Sequence, residues 1–527
     1  MSDNAVPALG RREFTRWFWR QLTSMRTALF LLLLLAIAAV PGSLYPQRGV
    51  DARAVETYFL QHPKSAPTLD RLGFFEVYTS PWFSAVYLLL MLSLVGCILP
   101  RTFVYLRALR ARPPRAPRNF SRLPASTSFE TSATPDEVVA AGRRALGRAR
   151  VDVVDRDGVV ELSAEKGFLR EAGNLLFHVS IVVVLVGVAI GTLYGYRGSV
   201  IVTDDDGQFS NSLTQYDEFS SGSLFSSDDL PPFSFTLSRM STKFQPFGSP
   251  QEGAPREFRA QGTYTPKPGA DQRDFDITVN HPLQIGSTSV YLVGQGYAPV
   301  LKITDAKGNV VWNDAVPFLP ADATYTSNGV VKVPDAQPEQ LGFQGFFLPT
   351  AAENAKGASI SIFPAAANPL LGLFVWHGDL GLDDGTPQSV FTLDKSKLTQ
   401  YKRSDGKNYR ISLQPASEVG EEAATAKIPG GGTVEYVSTA QFARFQISSS
   451  PLVKVPLVGI VAGLLGLMTS LTIKPRRTWI RARHDGSRTV VDVAVLDRVS
   501  RDDLPADLDA FLERFKTSLG DTEERAT

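Results

Sequence analysis

The sequence predicts a membrane protein with four transmembrane α-helices, a large β-rich extracytoplasmic domain and a small cytoplasmic α/β insert. Three observations predict it. The apolar residues gather in four blocks, each near the roughly 20 positions that a spanning helix needs. Arginine and lysine crowd particular flanks of those blocks. The long stretch between the third and fourth blocks is punctuated throughout by glycine and proline.

The first block is Thr27 to Tyr45, with Leu31 to Leu35 at its centre, and Arg11, Arg12, Arg16, Arg20 and Arg26 precede it. The second is Trp82 to Leu99, and residues 101–122 beyond it carry Arg101, Arg107, Arg110, Arg112, Arg115, Arg118 and Arg122 with no acid. The third is Ala172 to Tyr196, bracketed by Glu171 and Arg197, with no charged side chain between them. The fourth is Val455 to Ile473, followed by Lys474, Arg476, Arg477, Arg481 and Arg483. Short basic flanks stay cytoplasmic. The expected order is therefore an inner N-terminus (1–26), a first span (27–45), an outer loop (46–81) and a second span (82–99). An inner loop (100–171), a third span (172–196), an outer domain (197–454), a fourth span (455–473) and an inner tail (474–527) follow. A competing reading makes Arg11-Arg12-Glu13-Phe14 and Ala36-Ile37-Ala38 parts of a cleaved export signal. It would break the parity of the spans.

Within the inner loop, residues 126–164 read as a small α/β insert. Pro135-Asp136-Glu137 opens a helix and Arg148 and Arg150 close it. Val151–Val154 and Val159–Leu162 flank Asp155-Arg156-Asp157-Gly158 as a hairpin. In the outer domain, Ser199–Thr203 precedes the turn Asp204-Asp205-Asp206-Gly207, and Val300–Thr304 and Val310–Trp312 flank Asp305–Asn309. Thr433–Val437 follows three glycines, and Asp383-Asp384-Gly385 reads as a turn. An antiparallel sandwich or two stacked sheets fits this pattern. The tail predicts a strand over Thr489–Leu496, an amphipathic helix near Ala506–Leu519 and disordered final residues.

Composition narrows the function. With 54 basic and 53 acidic residues the net charge is +1, without the basic excess of a nucleic-acid binder. The single cysteine, Cys97, leaves no disulfide in the outer domain, no thiol-exchange motif and no C-x-x-C-H. No H-E-x-x-H, P-loop or G-x-S-x-G occurs, so nothing supports a hydrolase and no catalytic residues are assigned.

The five histidines sort by topology. His62, His281 and His377 fall outside, and His484 falls in the tail. His178 lies in the third span, nearer its cytoplasmic end, where an ionisable ring is a functional-site hypothesis. Asn174, one helical turn earlier, is placed to orient the imidazole by a hydrogen bond. Neutral imidazole is a good axial ligand for haem iron, and a membrane pocket suits the apolar macrocycle. A packing role for the ring is the alternative. Gly187, Gly191 and Gly195, and Gly459 and Gly463, predict close helix approach. His281 in Val279-Asn280-His281-Pro282-Leu283 and His377 in Trp376-His377-Gly378-Asp379 read first as surface or hydrogen-bonded residues. No metal other than a haem iron is expected.

The chain resembles the ResB (CcsB) family of the System II cytochrome c maturation machinery. The resemblance rests on Leu22-Thr23-Ser24-Met25-Arg26-Thr27-Ala28-Leu29, on Pro41-Gly42-Ser43-Leu44-Tyr45-Pro46-Gln47 and on Ser80-Pro81-Trp82-Phe83. It continues through Ser93 to Arg101 and Gly173-Asn174-Leu175-Leu176-Phe177-His178-Val179-Ser180 to the Asn280-His281-Pro282 motif, then Val290-Tyr291 and Gly296-Tyr297-Ala298-Pro299. It spans about residues 20 to 480 and implies a multi-pass cell-membrane subunit of a cytochrome c synthase (haem lyase) complex. Such a subunit transports haem, a b-type cofactor bound transiently, and presents it for covalent attachment to apocytochrome c. The implied partners are a CcsA (ResC)-like membrane protein bearing a tryptophan-rich loop, apocytochrome c and a thiol-reducing, thioredoxin-like protein. The family's intramembrane haem ligand corresponds to His178, with Asn174 behind it. His281 and His377 are further implied candidates. Where the family usually carries Asp-Pro before the last span, this chain has Ser450-Pro451. A membrane sensor or transmitter with an outer β domain is the alternative function, but it gives His178 no task.

Overall fold

The computed structural model describes residues 10–520, apart from 157, 205, 384, 386–387 and 498–503. The predicted turn residues Asp157, Asp205 and Asp384, and the final residues 521–527, lie outside the described set. The chain divides into two compact units, 1–189 with 452–527, and 190–451. Its helices are α1 (Arg11–Leu22), α2 (Met25–Leu44), α3 (Ala52–Gln61), α4 (Ala66–Arg71) and α5 (Pro81–Arg110). After these come α6 (Pro135–Leu146), α7 (Leu169–Tyr194), α8 (Ala416–Val419), α9 (Lys454–Thr472) and α10 (Leu504–Leu519).

Among the described residues, four helices are long and apolar enough to cross a membrane: α2, α5, α7 and α9. Two begin where serine supplies the missing acceptor. The Ser24 hydroxyl accepts from the Thr27 amide at 3.2 Å, and Ser80 from the Phe83 amide at 3.4 Å, with Pro81 in the first turn. The second continues beyond the expected span. The sequence placed the boundary at Leu99, but α5 runs on through Pro100 to Arg110. Proline removes its own donor and crowds the carbonyl one turn back, yet the helix continues, because the Arg- and Leu-rich run behind it favours helix. Residues 101–110, expected in the segment between the second and third spans, are therefore helix.

α7 and α9 pack through glycine. A Cβ at Gly173 would sit 2.6 Å from the Gly466 carbonyl oxygen, and one at Gly466 would sit 2.7 Å from that of Gly173. Gly459 meets Val184, and Gly187 meets Pro456. Bare backbone contact of this kind is how small residues join helices in lipid. Gly191 and Gly195, read with Gly187 as one stripe, instead lie in the other unit against Ser450 and Ser449. Spacing alone missed Gly173 and Gly466.

The loop insert and the C-terminal tail are one structure. Five antiparallel strands run in the order Ala125–Thr131, Arg488–Asp497, Arg476–Asp485, Val159–Lys166, Arg150–Arg156. α6 opens with a capping box, Thr134 to Glu137. α10 buries Leu504, Leu508, Phe511 and Phe515, spaced along one face. Both helices share a core with the sheet. Trp479 and Phe120 form a smaller core, and the Trp479 indole donates to the Pro114 carbonyl at 2.9 Å. The small α/β insert is thus completed by strands more than 300 residues later in the chain.

The second unit is β-rich, with α8 as its one short α-helix among the described residues. Two 17-residue strands, Thr288–Thr304 and Thr433–Ser449, pair along their length and form its spine. One half of this ribbon supplies Val290, Leu292, Phe445 and Ile447 to a core shared with the four-stranded sheet of Gly207–Ser210, Ser234–Phe244, Pro255–Thr265 and Arg273–Thr278. The other half supplies Tyr297, Leu301, Ile303, Val434 and Tyr436 to a core shared with a six-stranded sheet containing Ser327–Val333, Leu341–Leu348 and Leu370–Gly378. Register shifts at Leu292/Gly294 and Val300/Leu301 interrupt the pairing, as bulges do where a ribbon bends. Where a single sandwich or one pair of stacked sheets was expected, one ribbon serves two cores, against a four-stranded sheet at one half and a six-stranded sheet at the other. The predicted hairpin across Asp305–Asn309 is present, with Asp305 accepting from the Lys307 and Asn309 amides at 2.9 Å.

Candidate functional site

His178 occupies α7, where the apolar run leaves it no charged neighbour in sequence. Its Nδ1 lies 2.7 Å from the main-chain oxygen of Asn174. A carbonyl oxygen can only accept, so this contact puts a proton on Nδ1, and in the neutral ring the lone pair is then on Nε2. The ring is half-buried and meets Phe177 edge-on at 5.3 Å. Metal-binding imidazoles are oriented in this way by a hydrogen bond on their other nitrogen. The ring's hydrogen bond is to the Asn174 main chain. Its carbonyl holds the ring, because in a helix the i−4 oxygen lies directly below the side chain, while the side-chain amide takes no part in that bond.

His178 and Asn174 line a cavity of about 470 Å³, within the range of small-molecule and cofactor sites. Its other polar walls are Glu171 on α7 and Arg101, Tyr105 and Cys97 on α5, with Met25 of α2 among the apolar ones. Residues 97, 101 and 105 recur every four positions and so share a helix face. Residues 171, 174 and 178, three and then four positions apart, likewise share a face of α7. The Cys97 thiol is tied to the Thr23 carbonyl at 2.7 Å, and Ser93 donates to the Leu22 carbonyl at 2.6 Å. These bonds fix the α1–α2 turn against α5 beside the cavity. Sequence reasoning counted Arg101 only as a topogenic charge. The i, i+4 spacing of Cys97, Arg101 and Tyr105 was the signal that could have found this wall, and the supposed loop boundary at residue 100 hid it.

The remaining histidines are not gathered at this cavity. His281 is exposed in the turn that leaves strand Arg273–Thr278, next to Asn280 at a φ of 67°, and its Nδ1 lies 3.4 Å from Thr278 Oγ1 and from the Val279 oxygen. His377 on strand Leu370–Gly378 is 2.5 Å from a Glu339 carboxylate oxygen and stacks on Tyr401 at 4.3 Å between ring centres. Both nitrogen contacts explain the rings as local structure. His62 closes α3 and stacks on Tyr58, and His484 is exposed on strand Arg476–Asp485. Among the described residues no three His, Cys, Asp or Glu side chains gather as metal ligands. Ser450, which stands where the resembled family has Asp, lies against Gly191.

Four helices fit to span a membrane, a separate β unit and one oriented imidazole on the wall of a cavity between helices define a membrane protein with a large β-rich unit. The match to a family model narrows this further: residues 25–509 fit the ResB-like family, and the chain belongs to it. It is similar to the cytochrome c biogenesis protein CcsB of Synechococcus sp. (strain RCC307), at 27% identity over 67% of this chain and 81% of that one. The CcsB protein of Prochlorococcus marinus (strain MIT 9313) is 27% identical over 65% of this chain and 79% of its own. That of Synechococcus sp. (strain JA-2-3B'a(2-13)) is 24% identical over 59% and 66%.

Proposed function

We propose that this chain is a membrane subunit of a cytochrome c maturation complex, which receives haem at His178 and hands it on for covalent attachment to apocytochrome c. The observation that carries the reading is the tautomer imposed on His178. Its Nδ1 proton is committed to the Asn174 carbonyl, and Nε2 has no partner among the described residues. The printed names of the relatives support the same process. One imidazole leaves a haem iron with an open axial position, which a CcsA (ResC)-like partner would fill. The chain's own residues orient the imidazole, limit water with Ile98, Pro100 and Val104 of α5 and hold the Nδ1 proton away from the ligating nitrogen.

The sidedness read from arginine completes the proposal. The five-stranded sheet then faces the cytoplasm and the β unit lies outside, where apocytochrome c and a thiol-reducing protein would dock. Since His281 and His377 are already engaged in local contacts, they are assigned no haem.

The test is an absorption spectrum of the full chain purified with its many-span partner. A haem spectrum is expected, altered or lost in His178→Ala and retained in Asn174→Ala, whose carbonyl is unchanged. No haem in the complex, or a spectrum indifferent to His178→Ala, refutes the ligand assignment.

A further inference from the structure

We infer that Arg101 is the anchor for the ligand's carboxylates, so that the cavity recognises a porphyrin by its anionic edge as well as by its metal. This rests on the reading of the cavity as a haem site and adds a specificity residue to it.

The geometry comes from how α5 and α7 run. The Tyr87 hydroxyl on α5 donates to the Leu185 carbonyl on α7 at 2.6 Å. The two helices are antiparallel, since Arg101 and Glu171 line one cavity at the opposite end from that contact. Fourteen residues along α5 from Tyr87 is Arg101, and fourteen back along α7 from Leu185 is Glu171. Arg101 is therefore level with Glu171. His178 lies seven residues farther along α7, about 10 Å at 1.5 Å per residue. The guanidinium and the free imidazole nitrogen thus belong to two ends of one cavity. A flat ligand with a central metal and carboxylates on one edge matches that arrangement.

The charge has no other employment among the described residues. The arginines of the five-stranded sheet are paired, Arg477 with Glu165 at 3.0 Å, Arg481 with Glu161 at 2.8 Å and Arg476 with Asp507, whereas Arg101 is the arginine that lines the cavity. Arg101 takes part in no ion pair or hydrogen bond with a described residue. Glu171 shares the cavity and is held by a contact of its own. A guanidinium at the edge of an apolar span favours a counter-anion, and its planar fork matches a carboxylate bidentately. Tyr105, one turn on, adds a hydroxyl beside it.

The experiment titrates the full-length chain in detergent with iron protoporphyrin, its dimethyl ester and metal-free protoporphyrin. Iron ligands are read by absorption and the metal-free one by fluorescence quenching. A charge-assisted hydrogen bond is worth about 1.5–3 kcal/mol, so the wild type should prefer the diacid over the diester by about 10-fold or more. Arg101→Gln should bring the diacid down to the diester's affinity and leave the diester alone, while Arg101→Lys keeps part of the preference. His178→Ala should abolish the iron-dependent spectral shift and spare the preference for the metal-free diacid. Equal binding of diacid and diester by the wild type overturns the inference. So does an Arg101→Gln variant that weakens both ligands alike, the outcome expected if the arginine only packs or meets lipid headgroups. A spectrum dependent on His178 with no acid preference sinks the anchor alone. Acid preference without any His178-dependent spectrum sinks the haem-ligation reading and leaves Arg101 as a carboxylate site.

Discussion

In the β unit Phe343, Phe347, Phe442 and Phe445 are wholly shielded from solvent, whereas in the four long helices only 6 to 22% of the most apolar window is buried. Both regions are rich in apolar side chains and use them oppositely. The sheets fold their large rings onto one another, with Phe235 and Phe445 edge to face at 5.1 Å. The spans turn Leu29, Phe30, Leu457 and Leu464 outward and touch through glycine backbone. The hydrophobic effect closes a core in water. In lipid it gives helices no reason to associate, and close approach and hydrogen bonds must hold them. The β unit therefore carries its own stability, while the helices need hydrocarbon or another membrane protein around them.

The sharpest break in this comparison is expected at a core ring. Phe445→Ala should cost the β unit about 3–5 kcal/mol, read as a drop in the denaturation midpoint followed by near-ultraviolet circular dichroism. A loss below about 1 kcal/mol would mean that the sheets are not packed as a closed core.

Alkali should separate the two units next. Burial raises the hydroxyl pKa of Tyr216, Tyr297 and Tyr436, all in the β unit. Their folded state holds the proton more tightly than the unfolded chain. Stability is thus intact below the ordinary tyrosine value of 10 and falls as pH climbs above it. The loss is about 1.4 kcal/mol per pH unit for each tyrosine. Urea midpoints taken on either side of pH 10 check this, and Tyr216→Phe should flatten the fall. A midpoint insensitive to alkali would contradict the burial of these rings.

The smallest effect is reserved for the helices. Gly466→Ala puts a methyl into the backbone of α7 and should cost about 1–3 kcal/mol of helix packing, leaving the β unit's midpoint unmoved. Cross-linking of cysteines introduced on α7 and α9 reads the separation. Unchanged cross-linking would show that the glycine contact is dispensable.

How legible the molecule was depended on the range of the interaction. The four spans and the hairpins at Asp305–Asn309 and Val151–Leu162 are local, set by run length, period and turn residues, and were readable. The end of α5 was not, because proline stops a helix only when nothing favours continuing it, and the Arg101–Arg110 stretch does. His178 stood out because ionisable rings in apolar runs are rare. Its carbonyl partner followed from helix geometry, but the choice of carbonyl over side-chain amide did not. Arg101 was visible as a charge and invisible as a cavity wall.

By itself the sequence determined that this chain crosses a membrane, carries a β-rich unit between its last two spans and holds one imidazole in an apolar helix. Hydrophobic run length, charge on short flanks and β-turn residues act over a few positions and need no partner. Only the tertiary structure decided that the loop insert and the distant tail share one sheet, that two long strands serve two cores, and that Arg101 and His178 line the same cavity. Those pairings join residues far apart in the chain, and what selects them is complementarity of packed surfaces and antiparallel helix register, which no local pattern encodes.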